Sequence, residues 1–288
     1  MKDNKLYTIN KVSSADGTVI GYRKIGNGPG LILLHGAFES SQSHTELAEL
    51  LADKFTVYLP DRRGRGLSGP YAADHHVKQD VEDMDALLQK TGAHYVFGIS
   101  SGGIIWLEAA LSLTAIHKAV IYEPPFYTPE TMPDNELKRY EQELADGDIK
   151  GALVTGMLAA QMGPKLFRLL PRWLLKTITG MIMKAEGKNA KTGDATMANL
   201  APTLRYDFLI VKELAGHLPR FSKIKAEILL MGGSTSPAYL KKALDLMQEV
   251  LPGAKRIELK GLGHGGSGNA NRGGKPEVVT EELKQFFS

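Results

Sequence analysis

Four short apolar runs, Leu31–Leu34, Phe55–Leu59, Tyr95–Ile99 and Ala119–Tyr122, alternate along the first half of the chain with stretches whose apolar residues recur at helical spacing. A run that is apolar at every position, as Leu31–Leu34 is, has both faces buried, the pattern of a strand inside a parallel sheet covered by helices. The intervening stretches supply those helices: one carries Leu47, Leu50, Leu51 and Phe55, the next Val77, Val81, Met84 and Leu88, and a third runs from Gly102 to about Leu113. This alternation restricts the chain to an α/β architecture, a mostly parallel sheet flanked by helices.

The rhythm has a prelude and an interruption. Leu6–Val12 and Val19–Ile25 flank Asp16-Gly17, where glycine supplies the positive φ of a hairpin turn, so the sheet opens antiparallel. From Phe126 to about Ser222 the alternation stops, and the residues read as several helices separated by Pro and Gly, with Asp134 and Asp148 as N-caps. It then returns: a strand at Ile228–Met231, a helix bearing Leu240, Leu244, Met247 and Leu251, a strand at Arg256–Leu259, and a helix bearing Val279, Leu283 and Phe286. The organisation expected is a core of residues 1–125 and 223–288 with a helical cap of residues 126–222, within the span of one large domain plus an insertion.

Composition removes several function classes. Lys and Arg number 35 against 32 Asp and Glu, a net charge of +3 without long like-charge runs, so nothing demands nucleic acid or an anionic membrane. The absence of cysteine excludes a disulfide framework, a thiolate metal site and a thiol nucleophile. MKDNKLYTINKV has no apolar stretch like that of a signal peptide, which places the chain in the cytoplasm by default. Leu166–Met183 is the most apolar long segment, but Arg168, Pro171, Arg172 and Lys176 interrupt it, so no membrane span is expected. The basic stretch Arg168–Lys184 could instead touch a membrane surface, the weaker reading because any cap helix needs an apolar face.

Ligands of an open parallel sheet bind beyond the carboxyl ends of its strands, so the chemistry is sought in the loops that follow them. Gly98-Ile99-Ser100-Ser101-Gly102 is a GxSxG between a predicted strand and a predicted helix. The string alone is weak, and its setting strengthens it: small neighbours permit a sharp turn that exposes the Ser100 hydroxyl at a helix N-terminus. After the first core strand comes His35-Gly36-Ala37, from which the N–H of Ala37, with that of Ser101, could face a developing oxyanion. Gly36 could equally be a plain turn glycine, and His35 reads as a structural hydrogen-bonding residue. Gly261-Leu262-Gly263-His264 follows the last strand, a place from which His264 could reach Ser100 as general base. The other histidines, His44, His75, His76, His94, His117 and His217, read as structural or surface residues, and no metal-binding spacing is present.

In this order the residues resemble the α/β-hydrolase fold family over essentially the whole chain. Asp61-Arg62-Arg63-Gly64-Arg65-Gly66-Leu67-Ser68 is similar to that family's loop after the fourth strand, which helps shape the site. An Arg/Gly tract is also found in RNA contacts, the weaker reading on a nearly neutral protein. The resemblance implies an α/β-hydrolase fold with the cap inserted after the sixth strand, Ser100 as nucleophile, His264 as base, and Ala37 with Ser101 as oxyanion hole. It implies neither metal nor organic cofactor.

The sequence departs from the family in its acid. The loop after the seventh strand, where the triad carboxylate usually sits, reads Met231-Gly232-Gly233-Ser234-Thr235-Ser236-Pro237 and contains no Asp or Glu. A histidine without an orienting acid loses its correct tautomer and the stabilisation of its imidazolium, a loss of roughly 10⁴ in the best-studied case. After the sixth strand stands Val120-Ile121-Tyr122-Glu123-Pro124-Pro125, and certain haloalkane dehalogenases and zearalenone-type lactonases of this fold carry their acid there. Glu123 is the candidate. Otherwise it is a surface or cap-binding carboxylate on a rigid Pro-Pro turn, leaving a Ser-His dyad. Asp207, on a predicted helix, is a weaker alternative that more readily caps or pairs where it stands.

The chemistry this implies is hydrolysis of a small-molecule carboxylic ester or lactone through an acyl-enzyme. Serine at the nucleophile position argues against dehalogenase and epoxide hydrolase chemistry, which in this fold proceeds through an alkyl-enzyme ester. Met157, Leu158, Met162, Phe167, Trp173, Met181 and Met183 suggest an apolar roof to the pocket, although cap core would use the same residues. Two alternatives remain: a C–C bond hydrolase or lyase on the same fold, and a ligand sensor with a hydrolase-like pocket.

Overall fold

The computed structural model describes residues 7–161, 165–190 and 195–288. β1 (Thr8–Ser13) and β2 (Val19–Ile25) form the opening hairpin, with Gly17 at φ 83° in its turn. Leu6, where the first strand was expected to begin, lies outside the described residues. The core then alternates β3 (Gly30–Leu34), α1 (Thr45–Leu51), β4 (Thr56–Pro60), α2 (Val77–Thr91), β5 (Tyr95–Ile99), α3 (Ser101–Ala110) and β6 (Lys118–Tyr122). After the insertion it resumes with β7 (Glu227–Gly233), α9 (Ala238–Val250), β8 (Lys255–Leu259) and α10 (Pro276–Phe287). Phe55 is not part of α1 as expected but is buried just before β4, and α3 stops at Ala110, short of Leu113.

The eight strands form one sheet in the order β1-β2-β4-β3-β5-β6-β7-β8. β1–β2 and β2–β4 are antiparallel and every later pair is parallel. Each apolar run serves two cores. Leu31 and Leu33 pack on the α1 and α10 side with Leu47, Leu51 and Leu283, while Ile32 and Leu34 pack on the opposite side with Leu87, Leu88 and Ile104. That two-sided burial is why these strands carry no polar alternation.

Between β6 and β7 the described residues form helices: α4 (Asp134–Ala145), α5 (Ile149–Ala159), α6 (Arg172–Asn189), α7 (Met197–Leu200) and α8 (Leu204–Glu213), with shorter 3₁₀ turns. Asp148 caps α5, its carboxylate accepting the N–H of Gly151 at 3.0 Å. Asp134 does not cap α4. Pro133 holds the N-cap position and Asp134 is the first helical residue, where its charge still faces the positive end of the helix dipole.

β3 lies between β4 and β5, so the chain runs outward in opposite directions from it. The crevice beyond the carboxyl ends of β3 and β5 is therefore the topological switch point of the sheet. The loops there hold Ala37 and Ser100.

Candidate active site

Ser100 turns the chain from β5 into α3 with φ 55° and ψ −127°, a conformation that costs a non-glycine residue roughly 1–3 kcal/mol. The turn is fixed from both sides. The Ser100 N–H donates to the carbonyl of Tyr122 at 2.9 Å, and its carbonyl accepts the N–H of Ile104 at 3.2 Å. The flanking glycines are required by close approach: a Cβ on Gly98 would stand 2.6 Å from the Gly102 carbonyl oxygen, and one on Gly102 would stand 2.5 Å from that of His35.

The loop after β3 packs directly on the serine, since a Cβ on Gly36 would lie 3.0 Å from Ser100 Cβ. Its orientation is set from below. The carbonyl of Gly36 accepts from Nδ1 of His35 at 3.0 Å and from Nη1 of Arg65 at 3.3 Å. In a planar trans peptide the N–H points opposite to the C=O, so the N–H of Ala37 is turned away from these buried groups. Ala37, Ser100 and Ser101 line the same cavity. Ser101 is the first residue of α3, and an N–H at that position has no acceptor within the helix. His35 is fully buried, donates through Nδ1 and accepts the N–H of Arg62 at Nε2. Burial first, and then the charges of Arg65 and Arg62, push its pKa well below 6.5, so it is a neutral structural residue, as its sequence position suggested. Glu39 carried no signal that sequence reasoning could have found. Its carboxylate accepts the N–H of Gly36 at 2.9 Å and pairs with His44 at 3.2 Å.

Strand register explains how the acid of β6 reaches the histidine after β8. Tyr122 pairs with Met231, and the Glu123 N–H extends that ladder to the Met231 carbonyl at 3.0 Å. Glu123, fully buried and at φ 46°, thus stands over the end of β7. There Oε1 accepts the N–H of Gly233 at 2.6 Å, and Oε2 accepts from Nδ1 of His264 at 2.8 Å. The loop bearing His264 is itself held: Tyr122 donates its hydroxyl to the Gly263 carbonyl at 2.8 Å, and Thr235 donates to that of Leu262 at 2.7 Å. His264 and Ser100 face one cavity.

The arginine loop after β4 turns inward. Arg62, Arg63 and Arg65 are at most 2% exposed, so their guanidinium groups are not displayed to a nucleic acid. Arg63 pairs with Asp83 and Asp16 at 2.6 and 2.5 Å, and Arg62 and Arg65 both pair with Asp207 of α8. Asp207 therefore does not approach His264. It is a buried ion-pair partner, held ionised against the effect of its burial by Arg65 and Arg62.

The cavity measures about 830 Å³. Ile99, Met132, Leu204, Phe208, Val211 and Leu240 are among its apolar walls. The expected roof is different: Met157, Leu158, Phe167, Trp173, Met181 and Met183 do not line it, and Trp173 and Met181 are 68% and 60% exposed. Met162 lies outside the described residues. The wall comes instead from Met132 and Pro133 just before α4, from the end of α5 and from α8. Among the described residues no group of three or more His, Asp or Glu side chains is placed to hold a metal, and no helix is long and apolar enough to cross a membrane.

Comparison with known proteins agrees with this architecture. Residues 31–273 match the family model described as "Alpha/beta hydrolase family". The uncharacterised hydrolase YraK of Bacillus subtilis (strain 168) is 32% identical over 135 residues, which cover 45% of this chain and 49% of that protein. The chain spans about half or less of the length of the curated relatives it matches. An α/β hydrolase from Sphaerobacter thermophilus DSM 20745 superposes with a TM-score of 0.76 at 29% identity, covering 97% of this chain and 100% of that one. A thermophilic esterase from Thermogutta terrifontis superposes with a TM-score of 0.71 at 18% identity, covering 98% and 100%, a likeness of fold. A family match that runs from β3 to the loop before α10, on a sheet of this order, makes the chain a member of the alpha/beta hydrolase family.

Proposed function

We propose that the chain is a serine hydrolase that cleaves a carboxylic ester or lactone through an acyl-enzyme, with Ser100 as nucleophile, His264 as general base and Glu123 as the triad acid. One observation carries this reading: the fully buried carboxylate of Glu123 accepts from Nδ1 of His264 at 2.8 Å. A donating Nδ1 leaves the lone pair on Nε2, the tautomer a general base needs.

The proton of Ser100 Oγ passes to Nε2 of His264 as Oγ bonds to the substrate carbonyl carbon. The carbonyl oxygen takes up the negative charge, and the N–H groups of Ala37 and Ser101 stabilise it. When the C–O bond breaks, the imidazolium returns its proton to the leaving alkoxide. Water then gives a proton to Nε2 and attacks the acyl carbon, and collapse restores Ser100 and releases the acid. In a lactone the alcohol and acid leave as one hydroxy acid. The Glu123 carboxylate accepts from Nδ1 throughout and offsets the imidazolium charge. Residues 126–222 act as a cap over a core of residues 1–125 and 223–288, and the small-molecule substrate binds between them.

Turnover of p-nitrophenyl acetate, p-nitrophenyl butyrate and a panel of small lactones tests this. Ser100→Ala is expected to lower kcat by roughly 10⁴ or more, because only oxyanion and binding effects remain. Near-wild-type turnover in the folded variant would sink the mechanism.

A further inference from the structure

Asp207 sits on α8, and its two carboxylate oxygens hold different groups. Oδ1 accepts from the Ser101 hydroxyl at 2.7 Å and from Nη1 of Arg62 at 2.6 Å, and Oδ2 accepts from Nη2 of Arg65. The same Arg62 nitrogen also donates to Ser101 Oγ at 3.0 Å, closing a three-membered ring of hydrogen bonds. Arg65 spends its other donors on Thr203 Oγ1 at 3.0 Å and on the Gly36 carbonyl at 3.3 Å. All of these polar side chains are at most 5% exposed.

The Gly36 carbonyl belongs to the peptide that carries the N–H of Ala37, and Ser101 carries the other proposed oxyanion donor. We infer that Asp207 is a positioning residue that sets both halves of the oxyanion hole, one through Ser101 Oγ and the other through Arg65 and the Gly36–Ala37 peptide. This rests on the proposed serine hydrolase reading and adds a residue to it.

The physics is geometric. An oxyanion donor acts only if it is already aimed where the charge develops, and the peptide that bears it needs a rigid support. A backbone amide has few ways to be steered. Gripping the carbonyl of its own peptide is one, and tying down the side chain of its own residue is another. Asp207 does both, and the residues it joins, Arg62 and Ser101, are 145 and 106 positions away from it along the chain. The helical insertion therefore reaches beneath the reacting carbonyl as well as facing the substrate.

The test compares wild type, Asp207→Asn and Ser101→Ala on p-nitrophenyl butyrate, with functional sites counted by end-point titration with a fluorophosphonate. Ser101→Ala keeps the backbone N–H and removes no charge, so it remains informative where loss of a buried ion pair impairs folding. Asp207→Asn is expected to lower kcat per titrated site by roughly 10- to 100-fold, less than outright loss of an oxyanion donor. Ser101→Ala is expected to lower it by roughly 5- to 30-fold, the weight of one or two hydrogen bonds. KM should stay within about threefold, and a trifluoromethyl ketone that mimics the tetrahedral intermediate should lose affinity in step with kcat. A purely structural ion pair would lower the number of titratable sites and leave turnover per site unchanged. Turnover per site equal to wild type in both variants overturns the inference alone. A wild type that takes up no fluorophosphonate overturns the serine hydrolase reading, and this inference with it.

Discussion

Gly232 lies under the carboxylate of Glu123: a Cβ added to it would stand 2.9 Å from Oε1. The bare end of β7 and the acid on β6 are thus two sides of one arrangement. The volume that a side chain at the end of β7 would fill is taken by the Glu123 carboxylate, which is then bound by the N–H of Gly233.

Glu123→Gln should lower kcat/KM by roughly 10² to 10⁴, because an amide in that place neither stabilises the imidazolium nor enforces the tautomer of His264. Circular dichroism on the same sample shows whether the fold survives. A folded variant with an unchanged rate returns Glu123 to a structural role and leaves a Ser-His dyad.

Ser100→Gly should abolish turnover and yet raise stability. The serine is held at φ 55°, which glycine adopts without strain. The gain is partly offset by the extra freedom of glycine in the unfolded chain, leaving about 1 kcal/mol and roughly 2 °C in Tm. A lower Tm in calorimetry contradicts the strain assigned to this turn.

His35 gives stability a dependence on pH. Its folded pKa lies well below 6.5 because burial, and then Arg65 and Arg62, disfavour the charged ring. Below about pH 6.5 the unfolded chain therefore binds a proton that the folded chain refuses. Stability should fall as pH drops through this window, by up to about 1.4 kcal/mol per pH unit from this residue. In the folded protein the His35 ring resonances should stay those of neutral imidazole as pH falls through 6.5, read by NMR. Titration near 6.5 contradicts it.

Tyr122→Phe should loosen the loop that carries His264. Its hydroxyl donates to the Gly263 carbonyl, which also accepts the Gly266 N–H at 3.0 Å, so removing it costs one hydrogen bond, about 0.5 to 1.5 kcal/mol. Hydrogen exchange of the 261–266 amides reads the loosening directly. Exchange identical to wild type means that the loop is secured without the Tyr122 hydroxyl.

Much of the sheet was legible because strands buried on both faces leave an unbroken apolar trace, as Leu31–Leu34 and Ala119–Tyr122 do. Glu123 could be singled out because Met231–Pro237 holds no acid at all, an absence visible in one dimension. The placement of Asp207 was less accessible. It depends on which face of α8 meets Arg62, a partner 145 residues away, and no periodicity encodes such a pairing. The pocket wall failed for a similar reason: Trp173 and Met181 have the composition of a roof, but α6 turns them outward while Leu204 and Phe208 face the cavity. Asp134 missed its cap by one residue because Pro133 supplies the turn into α4.

The most direct test of the central claim needs no knowledge of the substrate: incubate the protein with a fluorophosphonate, read the intact mass, and map the adduct by peptide sequencing. A live triad predicts one adduct per chain on Ser100, none in Ser100→Ala, and markedly slower labelling in Glu123→Gln. An adduct that persists in Ser100→Ala, or a wild type that stays unlabelled, contradicts Ser100 as a nucleophile activated by His264 and Glu123.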